Sequence, residues 1–114
     1  MIELRQILDA RSRLSKEAIK QTPCLESEAL SERCGVQLFL KYETLQRTGS
    51  FKPRGALNRI LTLGKEERAR GVIAASAGNH AQGVAFAAGS VGVDALIVMP
   101  ESTPLVKVTR TQQL

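Results

Sequence analysis

The chain has 114 residues, with 16 basic and 11 acidic side chains for a formal net charge of +5; 43% are hydrophobic, 4% aromatic, and tryptophan is absent. No stretch approaches the roughly 18 apolar residues of a membrane span, and charges throughout the first twenty positions do not read as a signal peptide. The basic residues are scattered, many beside acids as in Lys65-Glu66-Glu67-Arg68, with no basic stripe among stacking aromatics, so neither a nucleic-acid nor a membrane partner is expected. Two cysteines, Cys24 and Cys34, and a single histidine predict reduced thiols and no metal site.

Along the chain, Ile2, Leu4, Ile7, Leu8, Leu14 and Ile19 space an amphipathic stretch that predicts a helix over about 3–20, closed by Pro23. A short helix over 27–33 stops at Gly35, and 36–42 reads as a strand. The next helix starts at Pro53, with Ser50 available as its cap and Gly64 just past its end. Val72-Ile73-Ala74-Ala75 reads as a short buried strand, and 81–91 as a small-residue helix closed by Gly92. An apolar strand over 94–99 ends at Pro100, and Thr103 and Pro104 open a last helix carrying Leu105, Val108 and Leu114. This order predicts an α/β fold of βαβα units, with a parallel sheet, helices on both faces and ligands at the carboxyl ends of the strands. No linker, low-complexity tract or internal repeat interrupts it.

Two motifs carry chemistry. In Thr48-Gly49-Ser50-Phe51-Lys52-Pro53-Arg54-Gly55-Ala56, one lysine sits where a loop of Thr, Gly and Ser gives way to a helix. An amine that must condense with a carbonyl has to be fixed and partly desolvated, which this setting provides; taken alone, however, the run reads first as a solvated surface lysine at a helix start. In Ser76-Ala77-Gly78-Asn79-His80-Ala81-Gln82-Gly83, a polar turn joins a strand to a helix, aiming backbone N–H groups and the positive end of the helix dipole at an anion. Ser76, Asn79 and His80 add side-chain donors. Taken alone, that run reads first as a tight turn at Gly78 with Asn79 as cap and His80 packed. A G-x-x-x-x-G-K-[ST] or G-x-G-x-x-G phosphate motif is absent; Gly78 to Gly83 has the spacing of the former, but Val84 and Ala85 follow.

Together, Ser50-Phe51-Lys52-Pro53-Arg54-Gly55-Ala56 and Ser76-Ala77-Gly78-Asn79-His80-Ala81-Gln82-Gly83 resemble the fold-type-II, tryptophan-synthase-β-like pyridoxal-phosphate (PLP) enzymes. Ser31-Glu32-Arg33-Cys34, Phe39-Leu40-Lys41-Tyr42-Glu43 and Gln46-Arg47-Thr48 look most like catabolic-type threonine dehydratases (threonine ammonia-lyases). The resemblance runs over nearly the whole chain. It implies that Lys52 forms the internal aldimine with pyridoxal 5'-phosphate and removes the substrate α-proton, that Asn79 bonds the phenolic oxygen of the cofactor, and that Phe51 packs beside it. Ser76, Asn79 and His80, with the N–H groups of Ala77 and Gly78, would hold the substrate carboxylate. The cofactor acts as electron sink, and loss of the β-hydroxyl of threonine or serine gives a 2-oxo acid and ammonia. Serine racemases of this fold tend to carry a second serine at position 77; Ala77 cannot carry a proton, which leans the chain towards elimination.

The resembled enzymes are much longer, and their glycine-rich phosphate loop and the Ser or Thr facing the pyridine nitrogen lie beyond the matching part. We therefore expect an N-terminal fragment, with 1–50 belonging to a large domain and 51–114 to part of a small mobile one. Such a piece would be inactive alone, and would form a homo-oligomer or pair with the missing C-terminal portion, because exposed strand edges and half-covered apolar faces favour association. A cytoplasmic location is implied by the resemblance. A non-catalytic remnant that only assembles, and a racemase-like enzyme, remain as alternatives. A serine hydrolase is a third, since Ala74-Ala75-Ser76-Ala77-Gly78 echoes the G-x-S-x-G elbow, though Ala replaces its first Gly, a downstream acid-and-histidine pair in that order is lacking, and Lys52 is left unexplained.

Overall fold

The computed structural model describes residues 1–14 and 18–114. Helix α1 (Leu4–Arg13) opens with the Gln6 side chain accepting from the Glu3 N–H at 2.9 Å. It is shorter than the expected 3–20 helix: Leu14 is already extended, 15–17 lie outside the described residues, and Ala18–Lys20 are not helical. Period alone does not foretell the stop, since Leu14 follows Ile7 by seven residues and Ile19 follows Leu8 by eleven, both in helical phase; tertiary packing decides it, with Ile19 in the core and Leu14 packed against it while Leu4, Ile7 and Leu8 stay exposed.

Strand β1 (Cys24–Glu26) was not expected. It pairs antiparallel with β2 (Phe39–Lys41) in the register Cys24↔Lys41, Leu25↔Leu40, Glu26↔Phe39. Three residues without alternation give no strand period, so only the pairing reveals β1. Between them, α2 (Glu28–Cys34) ends at Gly35, whose φ of 67° is the left-handed region where glycine carries no Cβ penalty. A single 3-10 turn, Glu43–Leu45, follows β2.

The centre of the molecule is the pair α3 (Lys52–Leu61) and α5 (Asn79–Gly89). Pro53, Ala56, Leu57 and Ile60 form the buried i, i+3, i+4, i+7 stripe of α3. It meets the small buried residues Ala81, Gly83, Val84, Ala87 and Ala88 of α5, which let the two helices approach closely. Two expected signals take other roles. Ser50 does not cap α3: the cap position falls on Phe51, without a side-chain cap bond, because the chain is already helical there. Gly64 does not close α3 but opens the short helix α4 (Lys65–Ala69), its N–H donating to Glu67 Oε2 at 2.7 Å.

Strands β3 (Val72–Ala75) and β4 (Ala95–Val98) pair in parallel in the register Val72↔Ala95 to Ala75↔Val98, with α5 as their crossover. Val72, Ala74 and Ile97 face the core. The other face, with Ile73, Leu96 and Val98 exposed at 72%, 59% and 52%, is bare; among the described residues, helices cover one side of this sheet rather than the expected two. Helix α6 (Leu105–Gln112) packs on α5. No helix among the described residues is long and apolar enough to cross a membrane.

Candidate active site

Lys52 is the first residue of α3, where Pro53 at the second position needs no N–H acceptor. The side chain is half-buried, and its Nζ lies 5.1 Å from the centroid of the exposed Phe51 ring, within the range in which a ring face attracts a cation. Among the described residues, no carboxylate forms a salt bridge with this amine.

Its stem is fixed by Gly83. A Cβ built on Gly83 would stand 2.7 Å from Lys52 Cβ, 3.0 Å from the Lys52 carbonyl carbon and 3.2 Å from Pro53 N. Only a residue without a side chain lets α5 come this close to the start of α3. Asn79 lies four residues before Gly83, hence on the same stripe of α5 and about 6 Å nearer its N-terminus. Packing of the two helices thus sets the root of Lys52 against the α5 stripe that begins at Asn79.

The turn between β3 and α5 lies at the carboxyl ends of both parallel strands. Ser76 N–H continues the ladder to Val98 O at 3.0 Å, and Gly78 N–H donates to Ser76 Oγ at 3.2 Å. Gly78 occupies the N-cap position of α5, and neither it nor Asn79 supplies a side-chain cap. The N–H groups of Ala77, Asn79 and His80 find no acceptor among the described residues, as expected of a helix start that points them outward. An open cavity of about 460 Å³, lined by Ala75, Ser76, Ala77, Val98, Met99 and Pro100, fronts this turn. The side chains of Asn79 and His80 are exposed. His80 lines a different cleft of about 510 Å³, between α3 and β3, together with Gly55, Arg59 and Val72; neither Lys52 nor Asn79 lines it.

Four further residues gain significance only in three dimensions. Thr48 and Ser50, 4% and 7% exposed, have hydroxyl oxygens without a hydrogen-bond partner among the described residues, and buried hydroxyls are normally paired. They precede Lys52 by four and two positions; their polar character in a Thr-Gly-Ser loop was visible, their burial was not. Glu43 and Arg54 form a salt bridge, with Arg54 Nε donating to Oε2 at 2.7 Å and Nη2 to Oε1 at 2.9 Å. The Arg54 hydrogen bonds are the main reason the Glu43 carboxyl is held at about 2, with Thr22, donating at 2.5 Å, and Gln46 adding to the effect against the cost of burial. Cys24 and Cys34 are free and exposed. No group of three or more potential metal ligands exists among the described residues.

Comparison with known proteins gives a consistent outcome. Residues 16–114 match the family described as pyridoxal-phosphate dependent enzyme. The chain is 54% identical, over all 114 residues, to L-threonine ammonia-lyase of Thermotoga maritima, covering 28% of that protein. Among solved structures, it superposes on the serine racemase of Dictyostelium discoideum with a TM-score of 0.90 at 38% identity, covering 98% of this chain and 36% of that one. For the processed form of threonine deaminase isoform 2 from Solanum lycopersicum the TM-score is 0.84 at 41% identity, covering 96% and 30%. The chain therefore spans about a third of the length of these relatives. With the lysine-bearing helix, the strand-to-helix turn and the family match over most of its length in agreement, the chain belongs to the pyridoxal-phosphate dependent enzymes.

Proposed function

We propose that this chain carries the lysine and the substrate turn of a PLP-dependent ammonia-lyase that converts L-threonine, or L-serine, to a 2-oxo acid and ammonia. The observation that carries the reading is the contact of Gly83 with the root of Lys52, which anchors the lysine against the α5 stripe headed by Asn79. The residues present fit the carbonyl end of the cofactor: an amine with no carboxylate partner among the described residues, an exposed aromatic ring near it, and two buried hydroxyls without partners among the described residues in the loop that delivers it. A glycine-rich run for the phosphate is absent from the sequence.

When bound, pyridoxal phosphate supplies an electron sink for the negative charge left on the substrate Cα. The protein's task is then orientation and proton handling. Lys52 Nζ would be the amine that holds the cofactor at its carbonyl carbon, and the base that would take the proton from the substrate Cα. Proximity matters more than basicity for such a group, because its stem is already immobilised by Gly83. Asn79 would donate to the ring oxygen of the cofactor. The free N–H groups of Ala77, Asn79 and His80, with the side chains of Ser76, Asn79 and His80, bind the substrate carboxylate at a helix N-terminus. Gly78 N–H is engaged by Ser76 Oγ, and contributes to that task by orienting the serine. The exposed apolar face of β3 and β4 supports pairing with the remainder of a longer chain or self-association, with residues 1–50 and 51–114 as parts of two domains. The two free thiols suit a reducing, cytoplasmic setting.

Racemisation is the second reading, favoured by the likeness to serine racemase. It requires a proton donor on the ring face opposite Lys52, and Ala77 has none to give.

The test adds pyridoxal phosphate to the chain, reduces with borohydride and maps the modified peptide. A visible band and a reduced adduct concentrated on Lys52 are expected; no band, or labelling spread evenly over the lysines, would overturn the reading. Activity is tested by supplying the rest of the Thermotoga maritima relative in trans and measuring 2-oxo acid from L-threonine. Inversion of serine without oxo acid would favour the racemase.

A further inference from the structure

Arg54 follows Lys52 by two residues, about 200° around the helix, so the two side chains leave α3 on opposite sides. Arg54 does not stack on Phe51 or reach the Ser76 turn. It points into a polar network of segments distant in sequence. Besides its two bonds to Glu43, its Nη2 donates to Lys20 O at 3.3 Å. Glu43 also accepts from Thr22 Oγ1 at 2.5 Å and from Gln46 Nε2 at 3.3 Å. Gln46, itself buried, clasps the Lys20 backbone in both directions, accepting from its N–H at 3.1 Å and donating to its carbonyl at 2.8 Å. Lys41 Nζ closes the set on Thr22 O at 2.6 Å.

An exposed ion pair contributes little to stability. This one differs: the pairing is bidentate through Nε and Nη2, the Glu43 side chain is only 16% exposed, and its carboxylate has two additional donors. It also sits where the start of α3 has no capping side chain, and the nearest hydroxyl, on Ser50, bonds nothing among the described residues. The first turn of α3 is therefore held between two supports, Gly83 of α5 on the Lys52 side and the Glu43–Arg54 pair on the other.

We propose that Glu43 and Arg54, with Gln46 holding the Lys20 backbone beneath them, are positioning residues for Lys52, acting through the first turn of α3 rather than through contact with cofactor or substrate. The inference rests on the reading of Lys52 given above. Gly83 limits how near Lys52 comes to α5 but cannot stop the turn from tilting away; the bidentate pair can, because a rigid planar fork resists rotation about the helix axis.

The experiment compares the chain with Arg54→Lys, which keeps the charge but not the fork, with Glu43→Gln, which keeps the shape but not the charge, and with the reversed pair Glu43→Arg/Arg54→Glu. Each is confirmed folded by circular dichroism at the working temperature, treated with limiting pyridoxal phosphate, reduced with borohydride and mapped. The readout is the ratio of adduct on Lys52 to adduct on the exposed Lys65 and Lys107, which report unassisted reaction within the same sample. The ratio is expected to fall about tenfold in Arg54→Lys and Glu43→Gln, equivalent to roughly 1.4 kcal/mol, and to recover in part in the reversed pair. A merely structural role lowers the melting temperature and leaves the ratio unchanged in the folded variants, and that result overturns the proposal alone. Should Arg54→Lys fail to fold, Glu43→Gln decides by the same ratio. Absence of a Lys52 preference in the unsubstituted chain overturns the reading of Lys52 and the positioning role with it.

Discussion

Replacing Gly83 by alanine would place a methyl group 2.7 Å from Lys52 Cβ, 3.0 Å from the Lys52 carbonyl carbon and 3.2 Å from Pro53 N. Carbon atoms in ordinary contact stand about 3.5–4.0 Å apart, so α3 and α5 must separate by close to 1 Å at this point, or the first turn of α3 must unwind. Neither neighbour can swing aside, because two of the three atoms are backbone and the third is attached to it. Overpacking of this kind costs about 1–3 kcal/mol, while removing a glycine from a helix interior gains about 1 kcal/mol; the expected net effect is a loss of roughly 1 kcal/mol. Gly55 is the internal control. It also lies within a helix, but a Cβ there meets nothing within 4 Å, so Gly55→Ala should gain about 0.5–1 kcal/mol. Urea unfolding followed by circular dichroism gives both values, and borohydride trapping on Lys52 should weaken in Gly83→Ala but not in Gly55→Ala. Equal stabilisation by the two alanines, with trapping on Lys52 unaltered, would refute the claim that Gly83 sets the position of the lysine.

Leu57, 1% exposed at the α3–α5 contact, should cost about 2–5 kcal/mol on change to alanine, read as a shifted urea midpoint; a cost below 1 kcal/mol would mean that this contact is not the core. The Glu43 carboxyl sits at about 2 in the fold against an ordinary 4.5, so its stabilising contribution is complete above the ordinary value and disappears as pH falls from there towards 2. The stability difference between the unsubstituted chain and Glu43→Gln should accordingly be largest near pH 6 and shrink steadily below pH about 4.5; a difference constant with pH would contradict the ion-pair assignment. Leu96→Glu, on the bare face of β3 and β4, should lower the apparent mass in sedimentation without lowering the melting temperature appreciably, whereas an unchanged mass would show that this face is not what associates.

Local signals were legible where the chemistry is local. The Val72 to Ala75 strand, the glycine stop at Gly35 and the strand closed by Pro100 each depend on a few adjacent residues, and each lies where their periodicity and turn chemistry put it. Strand β1 escaped because three residues carry no period, and α4 because its charges read equally as surface. The long first helix was overextended because an apolar stretch records which residues seek burial, not whether the backbone between them remains helical. Thr48 and Ser50 were recognisable as loop residues, yet their burial, without hydrogen-bond partners among the described residues, is a property of the folded chain.

From the sequence alone came the family resemblance, the lysine at a helix start and the strand-to-helix turn rich in N–H donors, because an amine, a glycine turn and a helix dipole are properties of contiguous residues. Tertiary structure decided what surrounds the lysine: Gly83 against its stem, Asn79 one turn away on the same stripe, and Arg54 braced on Glu43 from the opposite side. Those contacts join segments whose separation along the chain bears no relation to their distance in space. They are set by how closely two helices can pack and by which buried charges must find partners, and neither quantity is written in the period of any one segment.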